Sequence, residues 1–191
     1  MTTELGRPRD KRIDSAVMRS TVELLAETGY ADLSVDAIAR RAGTSKPAIY
    51  RRWPSKAHLV HEAVFPIGDA SALPDTGSLA GDVREMVSRT ADVLTSPAAR
   101  AALPGLVGEM AADLTLHSAL LERFGDILSR GLTDRLADAV ERGQARPDIT
   151  SAEMVDVVAG TTFLALLTRR DGLDDSWVDR TAALITRGIS A

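Results

Sequence analysis

The chain has 191 residues, a formal net charge of −4, a hydrophobic content of 45% and an aromatic content of only 4%. This composition excludes a disordered chain, and its abundance of Ala, Leu and Val favours helices that pack through small and medium side chains. The lack of cysteine in the sequence excludes disulfides, cysteine-ligated zinc and thiol catalysis.

The beginning of the chain and its apolar runs predict a cytoplasmic protein. The first four residues, MTTE, start no apolar stretch of the kind found in secretory leaders. The longest apolar run, residues 154–167, is shorter than a bilayer-spanning helix and contains Asp156. We therefore expect no membrane partner.

The charge is unevenly distributed along the chain. Residues 1–65 hold 11 Lys or Arg against 8 Asp or Glu, whereas residues 66–191 hold 12 against 19. A basic amino-terminal part suits contact with nucleic acid, and an acidic remainder is repelled by it. An ordinary solvated surface has the same asymmetry, so charge alone does not decide between the two.

The first predicted helix covers residues 10–28, where apolar residues recur with a helical period until Gly29. Before it lies a short basic segment with a glycine and a proline, which disfavour helix. Segments of this kind reach into the minor groove of DNA, although a frayed terminus has the same composition. Arg7 and Arg9 are therefore candidate DNA contacts.

Residues 33–56 predict two short helices joined at a glycine. Ser34 is placed to cap the first helix, and Gly43 permits the left-handed turn that ends it. Thr44 or Ser45 then caps the second helix, whose opening residues are small or polar. This pattern indicates a helix-turn-helix, in which the second helix enters the major groove of DNA.

Beyond Pro54 the chain predicts a connecting helix over residues 55–64, a linker over residues 65–77 and then five body helices. Thr150 and Glu153 have the spacing of a capping box. The body helices are predicted at residues 79–95, 97–112 with a kink at Pro104-Gly105, 116–140 with closure at Gly143, 150–170 and 174–188. The prediction is nine helices and no strand.

The stretch from Ala26 to Val60 resembles the TetR family of one-component bacterial transcriptional regulators. Thr44 and Pro47 depart from the valine and the small residue that the family often has at the base-reading end, so the operator sequence stays open. Past residue 65 the resemblance is architectural. The sequence resemblance before residue 65 rests on Ala26-Glu27-Thr28-Gly29-Tyr30, Leu33-Ser34-Val35, Ile38-Ala39, Ala42-Gly43, Ile49-Tyr50-Arg51-Arg52-Trp53, Ser55-Lys56 and Leu59-Val60.

The resemblance implies an all-α fold with a three-helix DNA-binding head and a larger helical body for ligand binding and dimerisation. The expected boundaries are residues 1–54 for the head, 55–77 for the connecting helix and linker, and 78–191 for the body. The implied function is a homodimeric repressor that occupies a palindromic operator and is released by a small-molecule effector. A transcriptional activator, a ligand-independent regulator and a helical protein-interaction module remain as alternatives.

The DNA contacts are assigned partly by this resemblance. Base edges are expected to meet Thr44, Ser45, Lys46, Pro47 and Ala48, and phosphates to meet Ser34, Tyr50, Arg51 and Lys56.

A cavity for an apolar effector is expected among the middle helices, because family bodies hold one there. Methionines and phenylalanines at helical spacing usually just fill a core, so the individual lining residues are the weaker part of this expectation. They are Met86, Leu94, Leu106, Met110, Phe124, Leu128 and Phe163.

The helix predicted at residues 150–170 is apolar around most of its circumference and therefore needs partners on two sides. One side suits the core of the body and the other suits a second subunit, although a fully internal helix of a monomer has the same pattern. The candidate interface residues are Val157, Gly160, Leu164, Trp177, Leu184 and Ile185.

No enzyme motif is present in the sequence, and we expect neither catalysis nor a cofactor. His58, His61 and Glu62 lie within one helical turn, but two histidines three residues apart without a further ligand are more often polar surface residues than a metal site.

Overall fold

The computed structural model describes residues 11–66, 75–129, 131–169 and 172–191. Ten α-helices make up this part of the chain. They are α1 (Lys11–Asp32), α2 (Val35–Arg41), α3 (Lys46–Tyr50), α4 (Lys56–Val64), α5 (Leu79–Thr95), α6 (Pro97–Ala112), α7 (Leu114–Ser129), α8 (Leu132–Glu141), α9 (Ser151–Thr168) and α10 (Asp175–Ile189).

Polar side chains at the N-caps fix where the helices begin. The Ser34 and Ser45 hydroxyls accept hydrogen bonds from backbone amides at 3.2 and 3.3 Å, and Ser55 caps α4 in the same way. At the start of α9, Thr150 and Glu153 form the reciprocal capping box that their spacing predicts. The predicted helix starts at these positions are confirmed.

The helix predicted over residues 116–140 is wrong as a single element. The chain forms α7 and α8 instead, and Gly131 between them has a left-handed φ of 75°. Only glycine adopts this conformation without steric cost, so the apolar period continues across a break in the backbone. This break raises the number of helices in the described ranges from the predicted nine to ten.

Two glycine and proline positions shape the helices that meet the head. Gly29 interrupts α1 with φ 73° and ψ 175°, so the chain changes direction just before Tyr30. Pro104 lies inside α6, which continues as one helix through it. Proline has no backbone N–H, so one helical hydrogen bond is missing at that point of α6.

The described helices share two apolar cores. The first core joins the head to the body, because residues of α1–α4 pack with Leu94, Leu106, Leu116 and Leu120. The second lies among α5, α8, α9 and α10. The first core therefore crosses the expected boundary between head and body at residue 54.

Helix α9 is apolar around most of its surface, although only part of that surface is buried. By length and composition it is the one helix among the described residues that would qualify to cross a bilayer, and 28% of the qualifying window is buried. A single helix of this kind is weak evidence for a membrane segment, since core helices have the same composition. Its buried residues contribute to the second core, and its other face carries exposed apolar side chains.

Candidate nucleic-acid interface and apolar cavity

The two short helices of the head form the predicted helix-turn-helix. Gly43 between them has a φ of 64°, as the left-handed turn requires. Ile38 of α2 is fully buried, and Ile49 and Trp53 are almost so. These apolar anchors hold α3 on the head and leave its amino-terminal end turned towards solvent.

The amino-terminal end of α3 presents small and polar residues. Ser45, Lys46 and Pro47 are exposed, while Thr44 and Ala48 are partly exposed. The Lys46 ammonium donates a hydrogen bond to Asp36 Oδ2 at 2.8 Å, and this interaction raises the pKa of Lys46. A side chain at this position can exchange its carboxylate partner for a base edge.

The residues expected to meet phosphates lie around α3. Ser34, Tyr50 and Arg51 are exposed. Lys56, at the start of α4, is partly buried, and its Nζ donates to the carbonyl oxygen of Tyr30 at 3.0 Å. The same ammonium lies 4.1 Å from the centroid of the Tyr30 ring, so Lys56 is held by two contacts to one residue. Arg7 and Arg9 lie outside the described residues.

Other cations of the head are engaged in ion pairs. Arg41 donates to both carboxylate oxygens of Glu27 at 2.6 and 2.8 Å, which lowers the pKa of Glu27. Arg52 lies 2.6 Å from Asp14 of α1. These pairs join α1 to the helix-turn-helix, a structural use that sequence charge alone did not reveal.

Tyr30 lies where the head meets α6 of the body. Its ring is buried and belongs to the first core. Burial, and then the neighbouring Glu109 carboxyl, raise the pKa of Tyr30 above the usual range for a phenol. A β-carbon added to Gly105 would overlap this ring, so the ring lies directly against the backbone of α6.

An apolar cavity of about 240 Å³ lies between α4, α6, α7 and α9. Of the residues expected to contact an effector, Leu94, Leu106, Met110 and Phe163 line this cavity, and their contact with an effector stays a prediction. Sequence reasoning missed lining residues whose apolar character is ordinary for a core and gives no signal of a cavity. These are His61, Phe65, Leu103, Val107, Leu120, Ala159 and Gly160.

The prediction that Met86 lines the cavity is wrong, and the predictions for Phe124 and Leu128 are untested. Met86 belongs to the second core beside Met154, because this part of α5 faces α8–α10 rather than α6. The side chains of Phe124 and Leu128 lie outside those described.

The cavity is closed on one side by the helix that connects head and body. His61 is the only polar side chain in the described lining, and its ring lies 5.2 Å from that of Phe65. His61 lies in α4 and Phe65 directly follows its last residue, while Lys56 is its first residue. The same short helix therefore lines the cavity and borders the helix-turn-helix.

Helices α9 and α10 each carry exposed apolar side chains. Leu164 is 61% exposed and Leu184 is 67% exposed, and Val157 and Leu167 are also exposed. Trp177 and Ile185 do not fit the expected interface, because both side chains are buried in the second core of their own protomer. Gly160, the last of the expected interface residues, is exposed and also lines the cavity.

No group of three or more potential metal ligands converges within the described ranges. His58, considered above with His61, has its Nδ1 2.9 Å from the Ser55 hydroxyl.

A three-helix head with a helix-turn-helix, joined through a helix to an all-helical body, defines a class of DNA-binding transcriptional regulators. Residues 17–63 match the family described as "Bacterial regulatory proteins, tetR family", and residues 73–185 match that described as "Tetracyclin repressor-like, C-terminal domain". The chain belongs to the TetR family of bacterial transcriptional regulators.

Relatives match over nearly the whole chain. The HTH-type transcriptional regulator YdeS of Bacillus subtilis is 29% identical over 195 residues, which cover 100% of this chain and 96% of that protein. The DNA-binding transcriptional repressor TetR of Mycobacteroides abscessus is 31% identical over 178 residues, or 90% of each chain. The crystal structure of the TetR family transcription regulator SCO0332 has a TM-score of 0.73 at 29% identity, covering 93% of this chain and 98% of that one. These relatives are regulators rather than enzymes.

Proposed function

We propose that this regulator is a homodimeric repressor of a palindromic DNA operator and that an uncharged apolar effector releases it. A repressor named among the relatives supports the direction of regulation. The observation that carries the proposal is the position of α4, which lines the cavity with His61 and Phe65 and carries Lys56 beside the reading helix.

The operator contacts proposed are those expected from the sequence. The exposed start of α3, from Thr44 to Ala48, enters the major groove and selects the sequence. Ser34, Tyr50, Arg51 and Lys56 contact phosphates, and Arg7 and Arg9 reach the minor groove.

Release follows from a change in the distance between the two reading helices of the dimer. Two recognition helices must lie about 34 Å apart to enter successive major grooves on one side of B-DNA. An effector that fills the cavity pushes against His61 and Phe65, and tilting of α4 carries the head with it. The effector shifts the balance only by as much as it prefers the tilted state.

The chemistry of the cavity selects the effector. The lining holds no Lys, Arg, Asp or Glu among the described residues, so a charged ligand would lose its hydration without a partner of opposite charge. A cavity of roughly 150 Å³ takes a benzene ring. The volume of about 240 Å³ therefore suits a somewhat larger neutral compound, of the size of a bicyclic aromatic.

The dimer forms through α9 and α10. Val157, Leu164 and Leu184 are large apolar side chains that are exposed on these two helices. Pairing with the same face of a second subunit makes a four-helix interface and removes these side chains from water.

The proposal is tested by electrophoretic mobility shift with duplex DNA from upstream of the regulator's own coding region. We expect a retarded complex that 1-naphthol dissociates and that 1-naphthoate, its anionic counterpart, leaves intact. Sedimentation velocity of the same sample should give the mass of two chains. A monomer that binds no duplex at low salt would overturn the proposal.

A transcription assay from that promoter separates repression from activation. The proposal expects the regulator to lower transcript yield and 1-naphthol to restore it. Higher yield in the presence of the regulator would instead support an activator.

A further inference from the structure

We infer that Tyr30 is a positioning residue that holds Lys56 for its phosphate contact and transmits movement of α6 to it. This inference rests on the proposed function and adds a second connection between cavity and DNA, separate from the tilting of α4. Its basis is one chain of contacts from α6 through the Tyr30 ring to the Lys56 ammonium.

The first step is the contact between Lys56 and Tyr30. The Lys56 ammonium is hydrogen-bonded to the Tyr30 carbonyl oxygen at 3.0 Å and lies 4.1 Å from the ring centroid. A free lysine side chain samples many rotamers, so these two contacts place the ammonium before DNA arrives. The location of the Tyr30 ring therefore decides where this charge is presented.

The second step is the contact between Tyr30 and α6. Gly105 provides a gap in the surface of α6 in which the ring lies, because a β-carbon there would overlap ring atoms. Glu109, one helical turn later, is near enough to Tyr30 to affect its titration. The ring therefore follows any displacement of this segment of α6.

The third step is the cavity on the other side of α6. Leu103, Leu106, Val107 and Met110 line the cavity. With 3.6 residues per turn, Leu103, Val107 and Met110 lie about 140–160° around α6 from Gly105, and Leu106 lies about 100° from it. The same segment of α6 therefore lines the cavity on one side and contacts the Tyr30 ring on the other.

The sequence of α6 makes this segment easier to bend. Pro104 precedes Gly105 inside the helix and lacks the N–H that would bond to the preceding turn. Helices bend most readily at such a position. A ligand that presses on the cavity face would move Gly105, displace the Tyr30 ring and release Lys56 from its position.

The test compares Gly105→Ala with Gly108→Ala, a matched control on the same helix. A β-carbon at Gly108 meets nothing within 4 Å, whereas one at Gly105 must displace the Tyr30 ring. We expect Gly105→Ala to weaken binding to the upstream duplex about three- to tenfold without effector and to lower the salt slope by about one per subunit. Gly108→Ala should bind as the wild type does.

A double-mutant cycle assigns the effect to Lys56. In a Lys56→Ala background, Gly105→Ala should cost no further DNA affinity, because the ammonium that it displaces is already gone. Additive losses would overturn the inference, and so would unchanged affinity of Gly105→Ala. Wild-type protein that binds no duplex would overturn the proposed function together with the inference.

A second pair of variants guards against a folding defect in Gly105→Ala. Tyr30→Phe keeps the ring and should bind DNA normally, whereas Tyr30→Leu loses the cation–π contact and should show the same loss as Gly105→Ala. With 1-naphthol, Tyr30→Leu should show a smaller further loss of DNA affinity than the wild type. Equal behaviour of the two Tyr30 variants, at equal melting temperatures by circular dichroism, would overturn the inference.

Discussion

At the scale of single residues, the end of α3 that we propose to read bases is held by a contact that DNA could replace. Lys46 and Asp36 form a 2.8 Å ion pair in which both side chains are about half exposed. Ion pairs with this exposure contribute about 0–1 kcal/mol, so breaking one costs little compared with a hydrogen bond to a base. Lys46 is thus oriented in the free protein and, at this small cost, available for the proposed contact with a base.

The two lysines of the reading surface should respond differently to substitution. We expect Lys46→Ala to change which base is preferred at one operator position, by about 1–3 kcal/mol. We expect Lys56→Ala to weaken binding to all duplexes alike and to lower the salt slope by about one per subunit. Binding of an operator library at several salt concentrations measures both.

Two results would contradict the roles proposed for Lys46 and Lys56. An equal loss on every operator variant from Lys46→Ala would mean that this side chain contacts phosphate rather than a base. A change of sequence preference from Lys56→Ala would contradict the phosphate assignment.

At the scale of one element, the start of α9 depends on an ionised carboxylate. Glu153 accepts hydrogen bonds from the Thr150 backbone amide at 2.8 Å and from its hydroxyl at 2.7 Å, and these bonds lower the pKa of Glu153. A lowered folded-state pKa stabilises the fold above the ordinary carboxyl pKa near 4.5. The stabilisation is lost as pH falls through the lower, folded value.

The stability difference between wild type and Glu153→Gln should therefore depend on pH. We expect the wild type to be the more stable at pH 7, and the difference to shrink as pH falls below about 4.5, the ordinary carboxyl value. Urea unfolding at several pH values measures it. Asp156→Asn, further along α9 and outside the capping box, is the control, and an equal pH dependence in both variants would contradict the prediction.

Caps and turn glycines made most elements predictable from sequence, because each acts through its own neighbours. Ser34, Ser45 and Thr150 mark helix starts by bonds that span three residues. The break at Gly131 was missed because the apolar period runs through it. Hydrophobic periodicity indicates which side of a helix faces the core, but it does not show whether the backbone is continuous.

The cavity was only partly predictable, for a different reason. Leu106 and Phe163 line the cavity whereas Met86 does not, because packing against other helices decides which of two cores an apolar residue joins. Lys56 was assigned to phosphate from the family resemblance, but its contacts with Tyr30 depend on the folded arrangement of α1 and α4. Contacts between elements far apart in the sequence cannot be predicted from a local sequence pattern.

Filling the cavity with a larger side chain should block the effector and mimic its effect on DNA binding. Ala159 of α9 is a lining residue, and the space of about 240 Å³ exceeds the roughly 150 Å³ that benzene needs. We expect Ala159→Phe to weaken 1-naphthol binding at least about tenfold and to lower the DNA affinity of the effector-free protein, because the added ring fills the space that an effector would fill. Calorimetric titration and mobility shift measure the two effects.

The control for this variant is Ala152→Phe, at an exposed position of the same helix. It should leave 1-naphthol binding unchanged. Undiminished binding to Ala159→Phe would place the effector outside this cavity.

At the scale of the whole molecule, two apolar surfaces of α9 have different uses. One face packs in the second core with Met154, Val155 and Val158, and the other leaves Leu164 and Leu167 in water. A helix that is apolar around most of its circumference needs cover on both sides. In the proposed dimer, pairing of α9 and α10 with a second subunit supplies that cover and fixes the distance between the two heads.

A charge placed on this face should separate the subunits and, with them, abolish tight operator binding. We expect Leu164→Glu to raise the dimer dissociation constant at least about hundredfold, because an unpaired carboxylate would lose its hydration in the interface. Sedimentation velocity across a range of concentrations measures it. The operator affinity should fall in parallel, since one head alone contacts only one half-site.

Leu114→Glu is the matched control, because Leu114 is 79% exposed but lies on α7, outside the two helices of the proposed interface. It should leave both the dimer and its DNA affinity unchanged. If Leu114→Glu dissociates the dimer and Leu164→Glu does not, the subunits meet through another surface. The spacing of the heads would then be set by α7, which lines the cavity with Leu120, and the effector would act on the interface itself rather than on α4.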